Sequence, residues 1–349
     1  MEIVELLKEA VARKASDLHI IANSSPVFRI DGELVIADEY TPLKSEGTKK
    51  LIYGFLSDSQ RVTFEEKKEL DFSLNIPGIT RFRVNVHMQR GNVEAALRVV
   101  PLNIPTIEEL NLPEIVKTLI NKPNGIVIVT GPTGMGKTTT LASLVERINE
   151  ENRALIITIE DPIEYIHTNK KGVVKQREVG TDTLTFANAL KYTLRQDPDV
   201  ISVGEMRDLE TIATALTAAE TGHLVMTTLH TPDAPQTIDR IIDVFPPYQQ
   251  QQIKIQLSGC LQAIIAQLLL PRADREGRIL ATEVLVATPA IRSLIREHRT
   301  EQIPSLIQTG SQYGMFSMDK SLKELYQKGL ITYETALSQA KNPLDFKKL

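Results

Sequence analysis

A glycine-rich loop follows a short apolar run between residues 125 and 140, where the sequence reads GIVIVTGPTGMGKTTT. The β-branched run from Ile126 to Val129 is typical of a buried strand, and the pattern after the loop is helical. The loop from Gly131 to Thr138 has the spacing G-x-x-x-x-G-K-[ST]. A strand, this loop and a helix in succession predict an α/β fold with a parallel sheet and a phosphate site where the helix begins.

The loop has the residues that binding of a nucleoside triphosphate with Mg²⁺ requires. Its backbone N–H groups can turn inward around the phosphates, and the helix N-terminus adds a favourable partial charge. We expect Lys137 to reach the β- and γ-phosphates and the Thr138 hydroxyl to be a ligand of Mg²⁺. The segment 121–124 lacks the acidic residue of the guanine-reading Asn-Lys-x-Asp motif, which favours ATP over GTP. The predicted nucleotide-binding residues are Gly131, Pro132, Thr133, Gly134, Met135, Gly136, Lys137, Thr138 and Thr139.

Two acidic segments follow predicted strands. Residues 160–164 read EDPIE after the strand Leu155–Ile159, and residues 204–208 read GEMRD after the strand Val200–Val203. Ligands of open parallel sheets lie at the carboxyl ends of the strands, so both segments are expected near the γ-phosphate. We interpret Glu205 as the base that polarises the attacking water, although a standard Walker B strand has aspartate where Gly204 stands. The alternative is that either segment is only a solvated strand end.

Two histidines and two arginines are further candidates. His223 and His230 bracket the strand Leu224–Leu229, and His230 could hydrogen-bond to the γ-phosphate, although a structural role fits the spacing equally well. Strict alternation in the stretch RFRVNVHM places Arg81 and Arg83 on the polar face of a strand. An arginine supplied to a neighbouring subunit would stabilise transition-state charge on its γ-phosphate, whereas the alternative is an ordinary solvated face.

The composition is that of an ordinary globular protein. The 349 residues suggest two domains, and a formal net charge of −4 without a run of Lys or Arg argues against nucleic acid as a partner. Cys260 is the only cysteine, so an internal disulfide is excluded and a buried thiol in a reducing compartment is expected. Residues 1–15 form an amphipathic helical pattern without the apolar region of a signal peptide. The apolar stretch Leu257–Leu270, interrupted by Gln262 and Gln267, is too short to span a bilayer, so we expect a cytoplasmic protein.

Turn signals divide the chain into regions of different pattern. We predict an α+β domain at residues 1–100, a proline-containing linker at 101–112, an α/β domain at 113–270 and a mostly helical region at 271–349. The first region is predicted to contain strands at Asp17–Ala22, Pro26–Ile30 and Glu33–Ile36, a hairpin turn at Asp31-Gly32, and helices at 1–15, 43–56 and 58–68.

Together these motifs resemble those of the type IV pilus retraction ATPases, within the secretion-ATPase superfamily. The resemblance extends over nearly the whole chain, from ASDLHI at 15–20 through the phosphate loop, the acidic segments and TGHLVMTTLH at 221–230 to residues 318–330. Residues 290–297, which read AIRSLIRE, resemble the signature of retraction ATPases, with Ser293 where that family usually has Asn. By spacing alone this segment is an amphipathic helix, for which plain packing is the alternative role.

The resemblance implies an architecture and a set of residue roles. It implies a PAS-like N-terminal domain, a RecA-like ATPase domain at 113–270 with a helical C-terminal region, and a homohexameric ring. The implied activity is ATP hydrolysis that drives pilin depolymerisation, pilus retraction and twitching motility. The residues with implied catalytic roles are Glu205, Glu164, His230, Lys137, Arg81 and Arg83, with the two arginines acting in trans. The implied ligands of Mg²⁺, partly through water, are Thr138, Glu164 and Glu205.

The resemblance also implies partners at the inner membrane. They are the pilus platform protein, the assembly ATPase and an accessory retraction ATPase, through which the protein would associate peripherally with the membrane. Assembly ATPases usually have an extra N-terminal domain and a tetracysteine zinc site, so a chain that begins at the PAS-like domain with one cysteine favours retraction. The alternatives are an accessory retraction paralogue that acts mainly by association, a pilus-assembly or type II secretion ATPase, and a nucleic-acid translocase.

Overall fold

The computed structural model describes residues 2–30, 32–101 and 103–343. It divides into two compact units, Met1–Asn103 and Ile104–Leu349. Asp31 of the predicted hairpin turn lies outside the described residues, as do residues 344–349 of the predicted C-terminal region.

A six-stranded antiparallel sheet forms the centre of the first unit. In chain order the elements are α1 (Ile3–Ala12), β1 (Asp17–Ile20), β2 (Val27–Ile30), β3 (Glu33–Ile36), α2 (Ser45–Tyr53), α3 (Asp58–Lys67), β4 (Glu69–Ile76), β5 (Thr80–Gln89) and β6 (Asn92–Val99). The strand order is β3-β2-β1-β6-β5-β4. The helices and strands that the sequence predicts for the first 68 residues are confirmed, with ends that differ by a few residues.

Alternation along β5 separates the two faces of this sheet. Phe82, Val84 and Val86 are fully buried in a core to which α1 and α2 also contribute. Arg81 and Arg83 belong to the opposite, more exposed face, as the period of two in a strand requires. The α+β character of the first region is therefore confirmed, and its sheet is amphipathic.

A seven-stranded sheet forms the centre of the second unit. In chain order the elements are α4 (Ile115–Leu119), β7 (Gly125–Thr130), α5 (Lys137–Glu151), β8 (Leu155–Glu160), β9 (Val173–Glu178), α6 (Phe186–Thr193), β10 (Val200–Val203), α7 (Leu209–Glu220), β11 (Leu224–Thr228), α8 (Ala234–Asp243), α9 (Pro247–Cys260), β12 (Leu261–Pro271), β13 (Arg278–Val286), α10 (Pro289–Glu297), α11 (Ile303–Thr309), α12 (Met318–Gln327) and α13 (Tyr333–Gln339). The strand order is β13-β12-β7-β11-β10-β8-β9, and the neighbouring pairs are parallel apart from β12 with β13.

Helices cover both faces of this sheet, which explains why central strands such as β7 are almost entirely apolar. Ile126 and Ile128 of β7 pack into one core with α7 and α9, whereas Val127 and Val129 pack into a second core with α5. A parallel strand buried on both faces has no polar side and reads as a continuous apolar run. The α/β domain with a parallel sheet, predicted from the loop and its flanking elements, is confirmed.

The apolar stretch Leu257–Leu270 is divided between a helix and a strand. α9 ends at Cys260, and β12 begins at the next residue. Throughout the described part of the chain, no helix is both long enough and apolar enough to cross a membrane. The helical C-terminal region is present from α10 onward, but it is preceded by β13, a strand within a segment that the sequence predicts to be mostly helical. β13 pairs with β12 from Ala263↔Val286 to Pro271↔Arg278.

The boundary between the two units falls inside the segment predicted as a linker. It lies between Asn103 and Ile104. Ile107 and Leu112 are buried in the second unit, where they join the core that contains Val116 of α4. The segment 101–112 is therefore partly packed onto the second unit, because its apolar side chains find a core there.

Candidate active site

The loop between β7 and α5 is shaped by glycines. Gly131, Gly134 and Gly136 have φ values of +144°, +80° and +79°. Gly131 meets a second constraint, because a Cβ at this position would collide with the backbone oxygen of Gln267 in β12. The first N–H groups of α5, which begins at Lys137, have no partner within the helix. Loop and helix N-terminus therefore have the geometry that binds anions in proteins.

Lys137 folds back over this loop. Its Nζ donates to the carbonyl oxygens of Gly131 at 2.7 Å and Pro132 at 2.9 Å, and it lies 3.3 Å from Nδ1 of His230. Burial lowers the pKa of Lys137, while the nearby carboxylate of Glu205 raises it. A partly desolvated ammonium held by neutral carbonyl groups would gain charge neutralisation from a phosphate.

The strand order brings Glu205 and His230 together at the carboxyl ends of neighbouring parallel strands. β11 lies between β7 and β10 and is parallel to both, so the residues that follow these three strands are neighbours. Oε2 of Glu205, after β10, lies 3.2 Å from Nε2 of His230, after β11. The hydroxyl of Thr133 lies 3.4 Å from the other ring nitrogen of His230. Lys137, His230 and Glu205 thus form a continuous chain of contacts.

The surroundings of Glu205 restrict its carboxylate. Its side chain is only 15% exposed, and Oε1 lies 2.6 Å from Nε of Arg207. The residue before it, Gly204, packs closely against β8, because a Cβ there would lie 3.2 Å from the carbonyl oxygen of Ile159. A Cβ at position 204 would be in tight contact with that strand, which favours glycine there.

The acidic segment that begins with the last residue of β8 contains the half-buried carboxylate of Glu160 as well as exposed carboxylates. Glu160 accepts hydrogen bonds from the hydroxyl of Thr158 at 2.6 Å and from Nε2 of Gln176 at 3.0 Å. Burial raises the pKa of Glu160, although these two hydrogen bonds lower it. Glu164, four residues later, is exposed in the following loop. Its catalytic and metal-binding roles stay predictions.

Two polar residues of the predicted motifs have structural contacts instead of a place in the site. His223 precedes β11, at the opposite end of the strand from His230, and its Nδ1 lies 3.0 Å from the carbonyl oxygen of Ala218. Asp208 caps α7, where it accepts from the backbone N–H and the hydroxyl of Thr211 at 2.9 and 2.7 Å. Of the two bracketing histidines, strand direction therefore leaves only His230 beside the phosphate loop.

Arg81 and Arg83 belong to the first unit. Arg83 is exposed, and its partner in register on β6 is Arg98, which forms an ion pair with Asp17 at 2.9 Å. Like charges directly opposite each other on paired strands are unfavourable, and the carboxylate of Asp17 offsets part of this repulsion by pairing with Arg98. Whether either arginine acts in trans stays a prediction.

Two residues that contact the loop or its helix, Gln267 and Tyr165, are not identified from the sequence as part of the site. Nε2 of Gln267 donates to the carbonyl oxygen of Met135, and its Oε1 accepts from the hydroxyl of Thr140. The hydroxyl groups of Tyr165 and Thr139 lie 3.0 Å apart, which fastens the loop carrying Glu164 to α5. For Gln267 the sequence contained one usable signal, because a polar residue inside an apolar stretch indicates a buried side chain with a specific partner.

The site has donor groups that fit Mg²⁺ together with a nucleotide. Within residues 2–30, 32–101 and 103–343, no three or more His, Cys, Asp or Glu side chains are arranged to hold a metal by themselves. Such a cluster is not required, because Mg²⁺ in nucleotide sites is bound by phosphate oxygens with one or two side chains. Thr138 in the first turn of α5 and the carboxylate of Glu205 are ligands of this type. Thr138, Glu164 and Glu205 stay the predicted set.

Known proteins resemble this chain over its full length. The sequence profile of the family described as Type II/IV secretion system protein matches residues 2–337. The chain is 49% identical over 346 residues to the "Type IV pilus retractation ATPase PilT" of Pseudomonas aeruginosa, which covers 99% of this chain and 100% of that protein. It is 43% identical over 347 residues to the "Type IV pilus ATPase PilU" of the same organism. This alignment covers 99% of this chain and 91% of that protein. A crystal structure of the pilus retraction motor PilT with bound ADP has a TM-score of 0.94 and 48% identity, with 100% of both chains covered.

Proposed function

Since the chain belongs to the family of type II/IV secretion system proteins, we propose that it is an ATP-hydrolysing motor that powers the retraction of type IV pili. The observation that carries this proposal is the full-length similarity to a pilus retraction ATPase. The contact chain Lys137–His230–Glu205 beside a phosphate loop supports the hydrolytic activity independently of that similarity.

Nucleotide binding is the first step that these residues perform. Backbone N–H groups of residues 133–136 and the N-terminus of α5 bind the phosphates. Lys137 exchanges the carbonyl oxygens of Gly131 and Pro132 for oxygens of the β- and γ-phosphates. Thr138, with Glu164 and Glu205 partly through water, would hold Mg²⁺, which neutralises charge on the phosphate oxygens when bound.

Hydrolysis requires a positioned water and a base. Glu205 orients the water that attacks the γ-phosphorus and accepts its proton. His230 contacts both Glu205 and Lys137, so it holds the carboxylate close to the lysine and senses whether a γ-phosphate lies between them. Arg81 or Arg83 of a neighbouring subunit stabilises the charge that develops on the transferred phosphoryl group.

The proposed motor is a homohexamer at the cytoplasmic side of the inner membrane. It acts on the pilus platform protein, and nucleic acid is not a partner, because the chain has a net charge of −4 without a basic run. Mass photometry with and without ATP would detect the hexamer. DNA or RNA that failed to stimulate turnover at low salt would agree with the absence of a nucleic-acid partner.

Two measurements test the proposal together. The purified protein is expected to release phosphate from ATP, and turnover is expected to be lost in Glu205→Ala. A strain that lacks the gene is expected to carry surplus pili and to lose twitching motility. An absence of pili in that strain would identify an assembly motor and contradict the proposal.

A second candidate function is that of an accessory retraction ATPase. The full-length similarity to PilU favours it, because that paralogue matches almost the same share of the chain. An accessory subunit would bind nucleotide but act mainly by association. Robust turnover by the purified protein, together with retraction that depends on this turnover, would argue against the accessory role.

A further inference from the structure

The buried side chain of Gln267 in β12 contacts the phosphate loop and also the helix that follows it. The residue is 1% exposed. Its Nε2 donates to the carbonyl oxygen of Met135 at 2.5 Å, just before the last glycine of the loop. Its Oε1 accepts at 3.0 Å from the hydroxyl of Thr140, which is itself 1% exposed in the first turn of α5. One amide therefore joins the loop to the helix that follows it.

The backbone of the same strand contacts the loop at two further points. The carbonyl oxygen of Gln267 occupies the space where a Cβ of Gly131 would lie. The N–H of Leu269 donates to the sulfur of Met135 at 3.2 Å. β12 thus meets the loop at its beginning, at Met135 and at the start of α5.

This arrangement matters because the loop has little structure of its own. Its glycines adopt positive φ values and lose much conformational freedom when they are held in place. If the loop is already ordered before the nucleotide binds, the entropic cost of ordering it does not reduce the binding affinity. The buried amide satisfies both its donor and its acceptor only while Met135 and Thr140 keep their present positions, so it selects that loop conformation.

We propose that Gln267 is a positioning residue for nucleotide phosphates, which holds the loop 131–136 and the start of α5 in the conformation that binds them. The inference rests on the proposed nucleotide site and adds a determinant of affinity from a strand outside the P-loop motif. Gln267 acts through Met135 and Thr140 rather than by touching the nucleotide.

The chain contains a matched control for this proposal. Gln262 lies in the same strand, and its Nε2 donates to the carbonyl oxygen of Asn124 at 3.1 Å in an exposed position before β7. Gln262→Met removes one amide of the same type from the same strand without touching the loop. Gln267→Met keeps length and volume similar while it removes the donor and the acceptor.

The experiment measures the Kd of a fluorescent ADP analogue, together with kcat and KM for ATP, for the full-length variants. Gln267→Met is expected to raise Kd and KM about tenfold, since two buried hydrogen bonds are lost, and to change kcat less. Thr140→Val is expected to raise Kd severalfold, whereas Thr140→Ser, which keeps the hydroxyl, is expected to bind as the wild type does. Gln262→Met is expected to stay within about twofold of the wild type.

The outcomes separate positioning from simple packing. If Gln267→Met lowers the melting temperature of the nucleotide-free protein but its folded fraction binds ADP with unchanged Kd, the residue is only structural and the inference is overturned. Equal losses of affinity in Gln262→Met and Gln267→Met would overturn it as well. Wild-type protein that binds no ADP would instead refute the proposed nucleotide site, and the inference with it.

Discussion

At the scale of single residues, the ammonium group of Lys137 is hydrogen-bonded to neutral carbonyl groups rather than to a carboxylate. Its hydrogen-bond acceptors are the carbonyl oxygens of Gly131 and Pro132, and burial lowers its pKa. We predict that Lys137→Ala lowers nucleotide affinity and ATP turnover by about a hundredfold or more, because the phosphates lose a fixed cation in a low-dielectric site. Titration with a fluorescent nucleotide and a phosphate-release assay measure the two effects. Lys122→Ala, an exposed lysine before β7, is the control, and full turnover in Lys137→Ala would refute the assignment of the loop.

Glu205 and Glu164 are distinguished by their surroundings. Glu205 is nearly buried and contacts His230, whereas Glu164 is exposed. We predict that Glu205→Gln lowers kcat by a factor of about 100 to 10,000 with nucleotide affinity largely retained, because the base is lost while the phosphate loop is unchanged. Glu164→Gln is expected to have a smaller effect on kcat and to shift the Mg²⁺ dependence of turnover. If Glu164→Gln lowered kcat more than Glu205→Gln does, Glu164 would be the base and Glu205 the residue that acts on Mg²⁺.

Cys260 is a residue whose pKa shift has a measurable consequence. It is 5% exposed, and burial raises the pKa of its thiol from 9.0 to about 12. The thiolate fraction at neutral pH is then about a thousandfold smaller than for a free thiol, and the thiolate is the reactive form. We predict that the folded protein does not react with iodoacetamide at pH 7 and reacts at the normal rate in denaturant.

The same shift predicts how stability depends on pH. The folded state keeps the proton of Cys260 up to about pH 12, whereas the unfolded chain loses it near pH 9.0. The contribution of this thiol to stability is therefore fully present below pH 9 and is lost between pH 9 and 12. Cys260→Ala is expected to show a smaller loss of stability over this range than the wild type, measured by denaturant unfolding. Rapid alkylation of the native protein at pH 7 would contradict both statements.

At the scale of elements, helix α10 has an anchored side and an exposed side. Arg292 donates to the carbonyl oxygens of Ala287 at 3.0 Å and Gly259 at 2.6 Å, and also to that of Ser258, so it caps the end of α9. Leu294 is half-buried against the core. A charge at Leu294 would therefore disturb packing, and this substitution alone cannot separate retraction from stability.

The exposed Arg296 allows that separation. We predict that Arg296→Glu leaves ATP turnover within about twofold and the melting temperature within a few degrees, since exposed substitutions change stability little. Pilus retraction, scored by twitching, is expected to be lost. Arg275→Glu, in the exposed loop between β12 and β13, is the charge-matched control and should retract normally. Normal twitching in Arg296→Glu would leave α10 with a packing role only.

The elements also show which features a single sequence reveals. β7, the phosphate loop and α5 could be predicted because apolar run, glycine spacing and helical pattern are local signals. β13 could not, because its strand identity depends on pairing with β12, a contact that no local pattern records. His223 and His230 have equivalent positions around one strand, and only the direction of β11 separates them. Gln267 is visible as a polar interruption, but its partners Met135 and Thr140 are known only once β12 lies beside β7.

At the scale of the whole molecule, the residues that we propose to be catalytic are divided between the two units. The loop, Glu205 and His230 belong to the second unit, whereas Arg81 and Arg83 lie on the polar face of β5 in the first. Rings in which arginines act in trans have active sites built from two subunits. We therefore predict that Arg81→Ala lowers turnover of the assembled ring by about tenfold or more, while ADP affinity of dilute subunits stays unchanged.

Mixing two inactive variants tests directly whether the arginine acts in trans. Arg81→Ala subunits keep an intact phosphate loop, and Lys137→Ala subunits keep an intact arginine. If the arginine serves the neighbouring subunit, mixed rings contain interfaces with both groups, and turnover should exceed the sum of the two variants measured separately. Mixing Arg81→Ala with the double variant Arg81→Ala/Lys137→Ala supplies no arginine and should restore nothing. If the first mixture is equally inactive although a tag carried by only one of the two variants co-purifies the other in hexamers, Arg81 does not act in trans, and the same pair of experiments with Arg83→Ala decides whether the second arginine does.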